Sequence, residues 1–146
     1  MSAQPPRKAR MLDWVWQLRI ELLDTQPLVW RRLLVPANIT LPKLDRVIQT
    51  ALGWTNSHLH EFVINGTHYA VLDPDWVDDL PHVDERRVVL QDALGMGTRC
   101  FDYVYDFGDD WRHDLLFEEV AAAQSGAVYP RCTAGWRACP PEDCGG

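Results

Sequence analysis

Two constellations carry side chains able to do chemistry. One is the run Tyr105-Asp106-Phe107-Gly108-Asp109-Asp110-Trp111-Arg112-His113, taken with His58 and His60. Carboxylates and imidazoles gathered at a turn could hold a divalent cation, or serve as general acid and base toward a bound substrate. His60, Asp106, Asp109 and His113 are the candidates for those roles. The plainer reading is that Gly-Asp-Asp is turn chemistry, that Asp106 bonds the turn's backbone, and that a histidine facing rings is a satisfied core residue. The other constellation is Cys132, Cys139 and Cys144 in a proline-stiffened stretch. Zinc takes four nitrogen or sulfur ligands, so these thiolates plus a histidine or Cys100 would close a structural site. No two cysteines stand at CxxC spacing, and the competing reading is three unliganded thiols in a loop ordered by proline and Trp136.

Signatures of the common reaction classes are absent. There is no GxGxxG, P-loop, GxSxG or HExxH, which removes the usual nucleotide, acyl-transfer and metalloprotease patterns. Asp106-Phe107-Gly108 matches the kinase metal-binding tripeptide, but no glycine-rich loop, strand lysine or His-Arg-Asp loop accompanies it. Arg31 and Arg32 follow Trp30 and could clamp an anion. On a strand beside a tryptophan, their stems more simply cover apolar surface.

The elements that must position these groups follow from periodicity. Trp14, Trp16, Leu18, Ile20 and Leu22 alternate with Val15, Gln17, Arg19 and Glu21, predicting a half-buried strand. Pro27 and Pro36 bracket a second strand, the expected antiparallel partner of the first. Thr40 as N-cap, an early Pro42, an apolar stripe of Leu41, Leu44, Val47, Ile48, Ala51 and Leu52, and Gly53 as stop predict a helix across those strands. Asn65-Gly66 predicts a two-residue hairpin turn that pairs Ile64 with Thr67 and Phe62 with Tyr69, placing His60 on an aromatic face. Residues 73–87 read as an acidic surface loop, and Val88 to Leu94 as a short helix ending at Gly95. A second hairpin with a three-residue Gly108-Asp109-Asp110 loop would pair Phe107 with Trp111 and Tyr105 with His113. Tyr129 to Gly146 shows no strand or helix period.

With 146 residues and seven tryptophans, the chain suffices for one domain with an aromatic core. The expected organisation is a disordered basic leader over 1–12, an α+β domain over 13–128, and a Cys/Pro-rich loop over 129–146. The expected fold is an antiparallel-rich mixed sheet packed on one main helix, a β-grasp-like roll. The net charge of -7 repels phosphate backbones, so duplex nucleic acid is an unfavourable partner and a protein the expected one. No apolar run is long enough to span a membrane, and the first ten residues lack a secretory h-region, so the expected compartment is the cytoplasm.

Four ordered motifs carry a resemblance. They are Pro27-Leu28-Val29-Trp30-Arg31-Arg32 before Val35-Pro36; Gly53-Trp54 leading to His58-Leu59-His60-Glu61-Phe62; Tyr105 to Trp111 with His113; and Tyr129-Pro130-Arg131-Cys132 to Cys139-Pro140-Pro141-Glu142-Asp143-Cys144-Gly145-Gly146. From Trp14 onward the chain resembles the plasmid pRiA4b ORF-3-like family. The resemblance implies an association with plasmids, chromosomes and insertion sequences, but no defined reaction. It also implies a further aromatic, acidic tail that this chain lacks, leaving the cysteine segment truncated. A serine-recombinase role would need a nucleophilic serine among arginines, whereas Ser2 sits in the leader. Together with the predicted faces, the resemblance marks Trp30, Arg31, His58, His60, Phe62, Tyr105, Trp111 and His113 as pocket residues; the candidate metal ligands, from their thiols and spacing, are Cys132, Cys139 and Cys144. The expected function is a non-enzymatic interaction module with a zinc-organised cysteine loop; the alternative is a metal-dependent hydrolase using the His/Asp groups.

Overall fold

Alternating apolar residues make β1 (Trp14–Leu22) and β2 (Val29–Pro36), which pair antiparallel along their length. The fold is a computed structural model that describes residues 14–25, 28–72, 81–106 and 110–136. The helix α1 (Leu41–Leu52) starts where predicted. Thr40 is extended, its hydroxyl accepts from the Lys43 amide, and Gly53 closes the helix at φ 77°. Leu41, Leu44, Ile48 and Leu52 are buried against the sheet.

The Asn65-Gly66 turn joins β3 (His60–Ile64) to β4 (Thr67–Ala70) in the expected register, with both turn residues at positive φ. β5 (His82–Asp84) pairs parallel to β4, and α2 (Leu90–Leu94) follows. β6 (Cys100–Tyr105) and β7 (Trp111–Ala122) form the second hairpin, and β8 (Arg131–Trp136) pairs with β2. The eight strands form one mixed sheet in the order β5-β4-β3-β6-β7-β1-β2-β8. The helices are few, so the sheet dominates the α+β architecture more than a sheet packed on one main helix implies.

Four expectations are corrected. The second hairpin pairs Tyr105 with Trp111 and Tyr103 with His113, two residues off the predicted register. Asp106 enters the left-handed region at φ 58° and ends the strand early, and its carbonyl accepts from the Asp110 amide. Because side chains repeat every two residues, this slip leaves the faces unchanged. Residues 82–84, read as loop, are a strand, and Glu85 is fully buried rather than on a surface. Residues 131–136, read as irregular, form an edge strand. Finally, β1 keeps its alternation but not the expected burial: the bulge in the β1–β7 ladder leaves Glu118 of β7 as the extra residue, while Trp14, on the same side as Leu18, is exposed and Val15, on the other side, is buried.

The basic leader lies outside the described residues, as do Asp109, Cys139 and Cys144. Among the described residues no helix is long and apolar enough to cross a membrane.

Candidate functional site

The two hairpins lie side by side, because β3 pairs with β6 and sets His60 opposite Tyr105 and Phe62 opposite Tyr103. His60 opens β3 on the helix-covered face, its ring tilted on Tyr103 and edge-on to Phe62. Its Nε2 lies 2.7 Å from Glu85 Oε1, and its Nδ1 lies 3.4 Å from Asp45 Oδ1. Glu85 is placed by the turn after β5, where its amide donates to the Ala70 carbonyl. Desolvation, the largest single influence on this imidazole, disfavours its charge. The Glu85 hydrogen bond and the charges of Asp45 and Glu85 together outweigh it, so the pKa is raised above 6.5.

Asp45 and Gln49 stand one helical turn apart on α1, both buried. The Tyr103 hydroxyl donates to Asp45 Oδ1 at 2.5 Å and accepts from Gln49 Nε2 at 2.8 Å. Asn56, held left-handed at φ 57° just past the helix stop, closes the ring. Its amide N–H donates to Gln49 Oε1 and its side chain donates to Asp45 Oδ2. Burial and then the Asp45 charge push the Tyr103 hydroxyl well above its ordinary pKa, so it stays a neutral donor.

His113 sits one strand further on, buried against Trp54 and Tyr103. Its Nδ1 donates to the Tyr103 carbonyl at 3.1 Å, which leaves Nε2 as an acceptor. Burial lowers its pKa from 6.5 to about 4. Among the described residues, Glu85 Oε2, Trp111 Nε1 and His113 Nε2 are buried polar atoms without a hydrogen-bond partner. Trp54 stacks on Tyr105, whose hydroxyl accepts from the Ser57 and His58 amides. His58 approaches Asp106 at 3.7 Å.

The sheet therefore gathers His58, His60, Phe62, Tyr105, Trp111 and His113 into one aromatic region, but not as a converging acid–base set. His60 is bound between two carboxylates, Asp106 faces His58, and His113 contacts rings and a carbonyl. Trp30 is not in this region. Strand alternation turns it to the opposite face, where the Arg19 guanidinium lies 4.3 Å and that of Arg32 5.5 Å from its ring, each an attraction of charge to the π-face. Arg32 is also paired with Glu118 and Arg19 with Glu21.

Arg31 points inward but serves the helix. Its Nε donates to the Ala51 carbonyl at 3.0 Å and its guanidinium to the Trp30 carbonyl at 2.8 Å. It thus supplies from the sheet the positive charge that the last turn of α1 lacks. Gly135 on β8 leaves room for this stem: a Cβ there would stand 2.6 Å from Arg31 Cδ and 3.1 Å from the Trp30 carbonyl oxygen. Gly135→Ala is expected to cost about 1–3 kcal/mol by overpacking, read as a lower urea midpoint. An unchanged midpoint would show that Arg31 does not need the gap.

Cys132 is exposed on β8, and Cys100 is exposed at the start of β6. Four strand-to-strand steps separate β8 from β6, about 19 Å at the usual spacing. Cys100 therefore cannot share a metal site with Cys132.

Asp45, Gln49, Asn56, Tyr103 and Glu85 escape the sequence reading. For Asp45 and Gln49 a signal existed: polar residues four apart beside Leu44 and Ile48 border the apolar stripe and are drawn under with it.

Two relatives frame the chain. The uncharacterized protein y4hQ of Sinorhizobium fredii is 40% identical over 137 residues, covering 93% of this chain and 69% of that protein. The crystal structure of MM3350 from Methanosarcina mazei Go1, a protein of unknown function, is similar with a TM-score of 0.82 at 34% identity, covering 92% of this chain and 76% of that one. A family model matches residues 14–146, nearly the whole length, and by that match the chain belongs to the plasmid pRiA4b ORF-3-like proteins.

Proposed function

We propose that the chain is a non-enzymatic interaction module of a plasmid- and transposon-associated family, built on a β-grasp-like roll, acting in the cytoplasm and binding a protein partner. The observation that carries this reading is an open apolar patch. By register, Trp14, Trp16, Phe117 and Val120 share one side of the β1–β7 pair. Trp16 and Phe117 meet edge to face at 4.9 Å, while Trp14 remains 60% and Val120 49% exposed beside them. An exposed tryptophan against an ordered aromatic pair has the character of an interface anchor. The separate contacts of His60, Asp106 and His113 weigh against a hydrolase, because acid–base work needs groups within hydrogen-bond reach of one reacting atom. Zinc held by Cys132, Cys139 and Cys144 would order the segment that follows β8.

The test is affinity capture with the full chain from its native host, followed by binding measurements on the retained protein. A reproducible partner is expected, with Trp14→Ala weakening it about 30-fold or more, as for an anchor tryptophan. No reproducible partner, or one indifferent to both Trp14→Ala and Val120→Asp, would refute the patch.

A further inference from the structure

The face of β3, β4 and β5 opposite the helix brings together three side chains to which the proposed module assigns no role. Val63 pairs with His68, so alternation puts Glu61 on the His68 side, and the parallel register of β4 and β5 sets His82 beside His68. Glu61 Oε2 lies 3.2 Å from His68 Nδ1 and 3.0 Å from His82 Nε2. One ligand atom from each of the three falls within 4.8 Å of the others. With metal–ligand bonds of about 2.1 Å, neighbouring donors stand about 3.4 Å apart around a tetrahedron and about 3.0 Å apart around an octahedron. Both carboxylate–imidazole separations match that range, and a modest swing of the His68 ring closes the third side.

Two imidazoles and a carboxylate form the donor set that borderline divalent metals prefer. The three come from three strands whose register the backbone ladder fixes, so little ordering is left to be done on binding. Asp102, opposite Val63 on β6, adds a carboxylate to the same face; the Arg112 guanidinium, which also feels Glu61 and Asp102 across that face, is engaged at 2.9 Å by Asp110. We infer that Glu61, His68 and His82 form a site for one divalent transition-metal ion of the zinc class. The His82 side chain is 4% exposed and that of His68 29%, so the ion is backed by the sheet and its remaining positions open beside His68. An open position admits water or a donor from another molecule, unlike a closed four-ligand structural site.

This site stands apart from Cys132, since β5 and β8 are the two opposite edges of the sheet. The test is a Co²⁺ titration of the chelator-stripped full chain, followed by displacement with Zn²⁺. One equivalent is expected with visible d–d bands and no sulfur-to-cobalt charge transfer. His82→Ala and Glu61→Gln should each weaken this equivalent at least about 100-fold, since even outer partners of metal ligands are worth 10–100-fold. Any thiolate-bound equivalent should survive both changes. Circular dichroism confirms that the variants fold, and His68→Gln provides a second, milder ligand loss. If all bound cobalt is sulfur-ligated, or if the folded variants bind it as the native chain does, the two imidazoles are only hydrogen-bonding Glu61 and the inference falls.

Discussion

Replacing His60 by alanine is expected to destabilise the fold by about 3–5 kcal/mol, because it strands the fully buried Glu85 carboxylate beside Asp45 with no cation between them. Removing both ends should be far milder: His60→Phe with Glu85→Leu replaces a buried pair by apolar volume, which is often neutral. A double-mutant cycle by urea denaturation reads the coupling. The pair also sets an alkaline limb. The folded chain holds the His60 proton more tightly than the unfolded chain, so the stabilisation is complete below about pH 6.5 and is lost as pH rises through the raised folded value. Native protein should weaken over that rise and the double variant should not. Equal slopes would show that His60 stays neutral in the fold.

His113 acts with the opposite sign. The unfolded chain takes up a proton near 6.5 and the folded chain only near 4, so stability falls as pH drops through that interval, by about 3 kcal/mol in all at about 1.4 kcal/mol per unit. His113→Phe keeps a ring against Trp54 and Tyr103 and carries no titrating nitrogen. It should flatten the acid limb while changing neutral stability by about 1 kcal/mol through loss of the bond to the Tyr103 carbonyl. Denaturation midpoints near neutrality and near pH 4 check this; an acid loss as large in the variant as in the native chain would place its origin elsewhere. Between the two limbs, His60 and His113 confine the best stability to mildly acidic and neutral pH.

What the sequence made legible was local. Thr40 and Gly53 bound α1, and Asn65-Gly66 fixes the β3–β4 register, because each signal acts within a few residues of itself. β5 and β8 were hidden for the opposite reason: a short strand at a sheet edge is defined by its partner more than by its own pattern. Glu85 looked like one more acid in a solvated run, and its burial makes sense only once His60 arrives from another strand. The aromatic setting of His60 and His113 could be seen from alternation alone. Their partners could not, since Asp45, Glu85 and Tyr103 belong to three separate elements. Trp30 and Arg31 were grouped as one pocket although adjacent strand residues face opposite sides, and the structure separates them accordingly. Glu61 and His68 were within reach of the hairpin register; His82 was not, because β5 had gone unseen.

The strand order has a consequence for how the chain acquires its shape. The sheet's middle joins β1 to β7 and its far side joins β2 to β8, so Gln17 meets Glu118 across 101 positions of sequence. A long stretch of chain must be drawn closed before these ladders return any free energy, which places folding in the slow, millisecond-to-second class. On the ribosome, β1 and β2 can pair as soon as they emerge, but their outer edges stay bare until β7 and β8 have followed. During that wait the two flanks of the β1–β2 ribbon are open to other chains, and the nascent protein is at its most aggregation-prone just before β7 and β8 are released.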